Sequence, residues 1–148
     1  MFKFRLEPAL RYRTSIVEKN QRELALVNNL FQQENDKLET LSNRKKNISE
    51  KYSDGLENLR LEEIIFYDNF FGGNFAEIKK QIQVVAEAQE KLDEKRAILN
   101  ESIKQKRIIE TVKKKAFEEY KQVERKKEEA LLNEVASSRF KFENEETI

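Results

Sequence analysis

The stretch LRYRTSIVEKNQRELALVNNLFQQENDKLETLSNRKKNISEKYSDGLENL, residues 10–59, decides the fold. Every seventh residue from its start reads Leu10, Val17, Leu24, Phe31, Leu38, Lys45, Tyr52 and Leu59, apolar at all but one position. A disordered chain has no reason to keep that period, whereas an amphipathic helix that buries one stripe does. The companion line runs Leu6, Arg13, Asn20, Val27, Glu34, Leu41, Ile48 and Gly55 and is only half apolar. This predicts one long helix whose coiled-coil seam is interrupted by polar residues.

A second stripe follows: Ile64, Phe71, Ile78, Val85, Leu92, Leu99 and Lys106, with Phe75, Ile82, Gln89, Arg96 and Ile103 read as its companions. Beyond Lys104 the pattern slips by about one position and resumes as Ile109, Ala116, Val123 and Ala130, flanked by Tyr120. A phase slip changes local supercoiling without ending a helix. Pro8 suits a first helical turn, where its missing N–H is not needed. Ser53-Asp54-Gly55 and Gly72-Gly73 are the two candidate breaks, and adjacent glycines cost a helix about 2 kcal/mol.

The expected fold is therefore all-α, a long antiparallel two-helix coiled-coil hairpin with a short helical or folded-back tip. It is read as a single elongated domain over 1–148, with helix one about 8–53, the tip about 54–74, helix two about 74–140 and an acidic tail at 141–148. Each buried Leu or Ile contributes roughly 1.5–3 kcal/mol, enough to close a hairpin that is monomeric when free. Opposing the polar seam residues suggests a register in which Glu34 faces Arg96 and Arg13 faces Glu118, leaving the C-terminal end of helix two to project past the N-terminus.

Composition excludes most chemistry. The chain of 148 residues has no His, Cys or Trp, only 3 Gly and 1 Pro, and 39% charged residues. Without His and Cys it lacks the commonest general base, the usual zinc ligands, thiol nucleophiles and disulfides. Neither phosphate-binding glycine motif is present. Acidic neighbours such as Glu118-Glu119 and Glu128-Glu129 point in different directions on a helix and read as solvated surface. No enzyme, cofactor, metal or catalytic residue is expected. No apolar run is long enough to span a bilayer and no signal sequence opens the chain, so the expected location is the cytoplasm, without direct membrane insertion.

The 10 Phe and 4 Tyr are concentrated at three places. Phe66, Tyr67, Phe70, Phe71 and Phe75 fall within ten positions, Phe2, Phe4 and Tyr12 mark the start, and Phe140 and Phe142 the end. The middle cluster reads either as self-packing of the tip or as an exposed docking patch. The terminal aromatics read either as a hydrophobic staple around Pro8 or as a second contact surface, since a hairpin brings both termini toward one tip. Residues 104–127 are net basic, +6, and 128–148 net acidic, −4. These runs suit a solvated coiled-coil face or a collar that meets an acidic protein. Without a recognition motif or stacking platform, nucleic-acid binding is not expected.

The opening Phe2-Lys3-Phe4-Arg5-Leu6-Glu7-Pro8-Ala9-Leu10-Arg11-Tyr12-Arg13 resembles the F-x-F-x-L-x-x-[LV]-L-x-x-[RK] start of the FliJ family of flagellar export proteins. Tyr67-Asp68-Asn69-Phe70-Phe71 is similar to that family's mid-chain Y-x-x-F-[IL] signature, although Gly72-Gly73-Asn74 follows where the pattern calls for a leucine beyond, with Phe75 the nearest apolar residue. The resemblance implies a component of the bacterial flagellar type III export apparatus, tied to flagellum biogenesis, motility and chemotaxis. It implies a central-stalk-like coiled coil that inserts in the hexameric export ATPase FliI and promotes its assembly and activity, and that links it to the export gate FlhA. The regulator FliH and export chaperones are further implied partners, and the implied location is the cytoplasm, peripherally at the inner membrane of the flagellar base. It places Phe2, Phe4, Leu6, Arg11, Arg13, Phe140 and Phe142 at the ATPase and Phe70 at the gate, within the aromatic cluster Phe66, Tyr67, Phe70, Phe71 and Phe75 read as an export-gate or partner patch. The alternative function is an export chaperone or chaperone escort that holds clients on the aromatic tip.

Overall fold

The computed structural model describes residues 1–146; the last two residues of the expected acidic tail, 147 and 148, lie outside the described residues. The chain is an all-α helical hairpin: α1 spans Glu7–Gly55, a single 3₁₀ turn spans Leu56–Asn58, and α2 spans Leu61–Glu146. No strand occurs among the described residues. Glu7 and Pro8 open α1, where the carboxylate favours the positive end of the helix dipole and proline's missing N–H costs nothing. The Glu7 and Leu10 amides donate to the Phe4 and Leu6 carbonyls and start the ladder.

The reversal is narrower than the tip expected at 54–74. Only Leu56–Arg60 leave α-helical geometry, with Leu59 extended, and α2 resumes at Leu61 behind the acidic pair Glu62 and Glu63. Gly55 has a negative φ of −96°, so it ends α1 through low helix propensity and not through a left-handed turn. Gly72 and Gly73 lie inside α2, and neither has positive φ. Helix propensity is a local preference, and the tertiary contacts on either side of this pair override it.

Two compact units divide the hairpin: residues 17–102, and residues 1–16 together with 103–148. In the first, the stripe from residues 10–59 is the inward face. Val17 is buried, and Leu24, Val27, Phe31, Leu38, Leu41, Ile48 and Tyr52 are half-buried, while Lys45 stays exposed. From α2 come Ile64, Phe71, Ile78, Val85, Leu92 and Leu99, of which Leu92 is 2% exposed. Two helices enclose only a line, so most seam residues stop at partial burial.

The companions on α2 differ from the expected set. Gln89 and Ile103 are half-buried as expected, but Phe75, Ile82 and Arg96 are exposed, and the continuous inward line lies one position earlier, at Tyr67, Asn74, Gln81, Ala88, Lys95 and Ser102. Spacings of three and four residues flank an apolar stripe equally well, and the polar line wins because its side chains meet α1. The Gln81 side-chain amide donates to the Glu34 carbonyl at 2.8 Å and to its carboxylate at 2.7 Å. Lys95 pairs with Glu23 at 3.1 Å. Asn74, Ala88 and Ser102 are small enough to sit in the seam.

These contacts also correct the register. Glu34 meets Gln81, fifteen positions before Arg96, and Arg96 pairs within its own helix with Asp93 at 3.9 Å. Glu118 likewise pairs with Lys121 on α2, and the Arg13 guanidinium lies 5.9 Å from the Tyr12 ring. The cause is the position of the reversal: a turn at 56–60, ahead of the midpoint used for the expected register, moves every α1 residue to an earlier partner on α2.

In the unit formed by 1–16 and 103–148, the first six residues fold onto α2 ahead of α1. Ile109, Ala116 and Tyr120 are half-buried as the phase slip requires, but Val123 and Ala130 are exposed. Every described residue from Arg125 to Glu146 is exposed.

Candidate partner-binding surfaces

Phe2 anchors the N-terminal segment. Its ring lies 5.2 Å from that of Phe117, edge to face, and 5.4 Å from that of Tyr120, geometries that suit the ring quadrupoles. Two residues on, the Lys113 ammonium lies 5.9 Å from the Phe4 ring and 2.8 Å from the Glu7 carboxylate. That ion pair is over a third exposed on each side, so water screens it and it orients more than it stabilises. Phe2, Lys3, Phe4, Glu7, Arg11 and Lys113 line a shallow hollow. Leu6 and Arg11 are exposed beside it, and Arg13 is half-buried over Tyr12.

Phe140 and Phe142 do not join this joint. They are 66% and 69% exposed and lie twenty or more residues beyond Tyr120, about 30 Å further along α2 at ~1.5 Å per residue. The residues that do meet the N-terminus, Lys113, Phe117 and Tyr120, were legible only as a pair of aromatics three apart on a basic helix. That spacing puts Phe117 and Tyr120 on one face, which is the signal an answering ring needs.

The five mid-chain aromatics part in three directions. Tyr67 and Phe71 turn inward onto Tyr52, with ring centroids 5.2 and 5.9 Å away. Phe70 is half-buried with the Arg44 guanidinium 5.5 Å from its ring. Phe66 and Phe75 face solvent, as do Leu61 and Ile65, which sequence reading did not single out. The interior reading thus holds for Tyr67 and Phe71, while Phe66, Phe75, Leu61 and Ile65 form apolar surface. Close by, Asn74 is 4% exposed and its side-chain oxygen has no hydrogen-bond partner.

A carboxylate with a displaced pKa lies at Glu34, which belongs to neither surface. Glu34 is held below the ordinary glutamate range, first by the hydrogen bond from Gln81 and then by the one from Lys37. Among the described residues no acidic cluster has the arrangement to hold a metal ion, and no helix is long and apolar enough to cross a membrane.

No curated protein and no solved structure matches the chain significantly. The family model described as Flagellar FliJ protein matches residues 2–145 of the 148. That span takes in the N-terminal aromatic joint, all of α1, and α2 up to its penultimate residue. The chain therefore belongs to the FliJ family and is a coiled-coil component of the flagellar export apparatus.

Proposed function

We propose that this chain is a stalk-like component that inserts in the hexameric export ATPase FliI, promotes its assembly and turnover, and links it to the export gate FlhA. The observation that carries the reading is the single exposed helix 125–146 beside an N-terminal aromatic joint. A lone helix bearing exposed Leu131, Leu132, Val135, Phe140 and Phe142 has its apolar side chains available to a ring that encloses it. Phe2, Phe4, Leu6, Arg11 and Arg13 belong to the same end of the ATPase contact, and Phe66, Phe70 and Phe75 to the gate contact. FliH joins through the ATPase, and the chain is held in the cytoplasm at the inner membrane by the gate. Stimulation requires tighter binding to some ring states than to others, because equal binding shifts no equilibrium.

ATP turnover by the cognate ATPase, with and without this protein, tests the reading, with a variant lacking residues 1–12 as control. Stimulation that vanishes in the variant supports it; no stimulation at concentrations that populate the hexamer rejects it. Exposed Phe66, Phe75, Leu61 and Ile65 favour the second reading, a chaperone escort. Because Tyr67 and Phe71 pack on Tyr52, the clean discriminator is Phe66→Ala with Phe75→Ala, which leaves those rings on Tyr52 and gives up only the edge contact of Phe66 with Tyr67 and the contact of Lys45 with the Phe75 ring. A stalk keeps its stimulation in that variant, whereas an escort loses chaperone capture.

A further inference from the structure

The exposed end of α2 carries a heptad line that the hairpin seam does not use and that touches the terminal joint only at its first residue, where the Lys121 ammonium lies 4.7 Å from the Phe117 ring. Residues Lys121, Arg125, Glu128, Leu132, Val135, Arg139, Phe142 and Glu146 are spaced alternately by four and three. At about 100° per residue they fall on one side of the helix. All eight are exposed, Leu132 at 68%. The order along the chain is basic, basic, acidic, apolar, apolar, basic, aromatic, acidic.

Read against itself in the opposite direction, that order is complementary at every step. Lys121 meets Glu146, Arg125 meets Phe142, Glu128 meets Arg139, and Leu132 meets Val135, each pairing occurring twice about a two-fold axis. The pairs are, in turn, an ion pair, a cation over an aromatic face, a second ion pair, and an apolar contact at the centre. A two-fold arrangement needs one patch that is complementary to itself, and this helix face meets that condition with no like charges opposed. Lys121 now pairs with Glu118 at 3.1 Å, both about half exposed, and lies 4.7 Å from the Phe117 ring; both are surface contacts weak enough to exchange.

We propose that residues 121–146 form an antiparallel coiled coil with the same segment of a second copy of this chain. The hairpin stays closed within each copy, and the association runs through a face that the hairpin leaves open. With four charged residues among the eight core-facing positions besides Arg125, the pairing is specified by charge and is sensitive to salt. The pairing rests on the spacing, exposure and charge of α2; because Leu132, Val135 and Phe142 are also given to the ATPase contact, self-pairing and ring insertion exclude one another.

Sedimentation equilibrium of the full chain tests it. The expected mass rises from 17.7 kDa toward twice that value as concentration increases at low salt, and falls back in high salt. Glu128→Arg and Arg139→Glu each oppose like charges and are expected to abolish the dimer; both substitutions together restore it. Arg and Glu are equally good helix formers, and circular dichroism verifies that the helices persist. With no native cysteine, mixing Leu132→Cys with Val135→Cys chains should also give a disulfide-linked pair. A constant monomer mass at low salt overturns the proposal. So does a dimer that survives either single charge reversal, or a double reversal that stays monomeric.

Discussion

Glu34 shows how a polar residue in a seam can set structure. It occupies a core-facing heptad position, yet it is retained because Gln81 satisfies both its carbonyl and its carboxylate. The same hydrogen bond, with help from Lys37, lowers its pKa below the ordinary glutamate range. A carboxylate whose folded pKa lies below its unfolded value stabilises the fold above the unfolded value and ceases to do so as pH falls through the folded one. The urea midpoint of the native chain should therefore drop on acidification relative to that of Glu34→Gln, which keeps an acceptor for Gln81 but does not titrate. Parallel urea titrations of the two proteins from neutral to acid pH measure this difference; coincident curves would remove Glu34 from the account. The effect is modest because the carboxylate remains in contact with water.

Within α2, Gly72 and Gly73 have no internal purpose that the structure reveals. Their φ values are negative and a Cβ at either would meet nothing within 4 Å. Gly72→Ala and Gly73→Ala should each raise stability by about 1 kcal/mol, the difference in helix propensity, read as a higher thermal midpoint. The pairing of the elements is tested by crosslinking: cysteines at positions 34 and 81 should link in the oxidised chain, whereas cysteines at 34 and 96 should not. Both results bear on what sequence reading could reach. The stripe from Leu10 to Tyr52 was legible because heptads of Leu, Val and Phe have one physical cause. The inward line of α2 was not, since Asn74, Gln81, Lys95 and Ser102 look like surface until their partners on α1 are known. Register was equally hidden: many offsets oppose unlike charges, and only the position of the turn at 56–60 selects among them.

At the scale of the whole chain, stability and partner contact are assigned to different stretches. Residues 17–102 contain the buried Val17 and Leu92 and the Glu34–Gln81 and Glu23–Lys95 contacts. Described residues 125–146 bury nothing, and an unaccompanied helix of that length is only marginally stable by itself. Its end aromatics were legible as a cluster, but their separation from Phe2 was not, because an overhang depends on register. A chain lacking residues 125–148 should therefore unfold in urea within about 0.5 kcal/mol of the full chain, as surface changes do, when both are compared at concentrations too low for self-pairing. Its helical dichroism should fall by the share of the deleted turns. The same truncated chain should lose ATPase stimulation if α2's exposed end enters the ring, without the ambiguity of an unfolded variant. A large loss of stability would mean that the extension packs on the rest of the hairpin, contrary to its exposure. Unchanged stimulation would move the ATPase contact to the joint of Phe2 with Phe117 and Tyr120, which the truncation leaves intact.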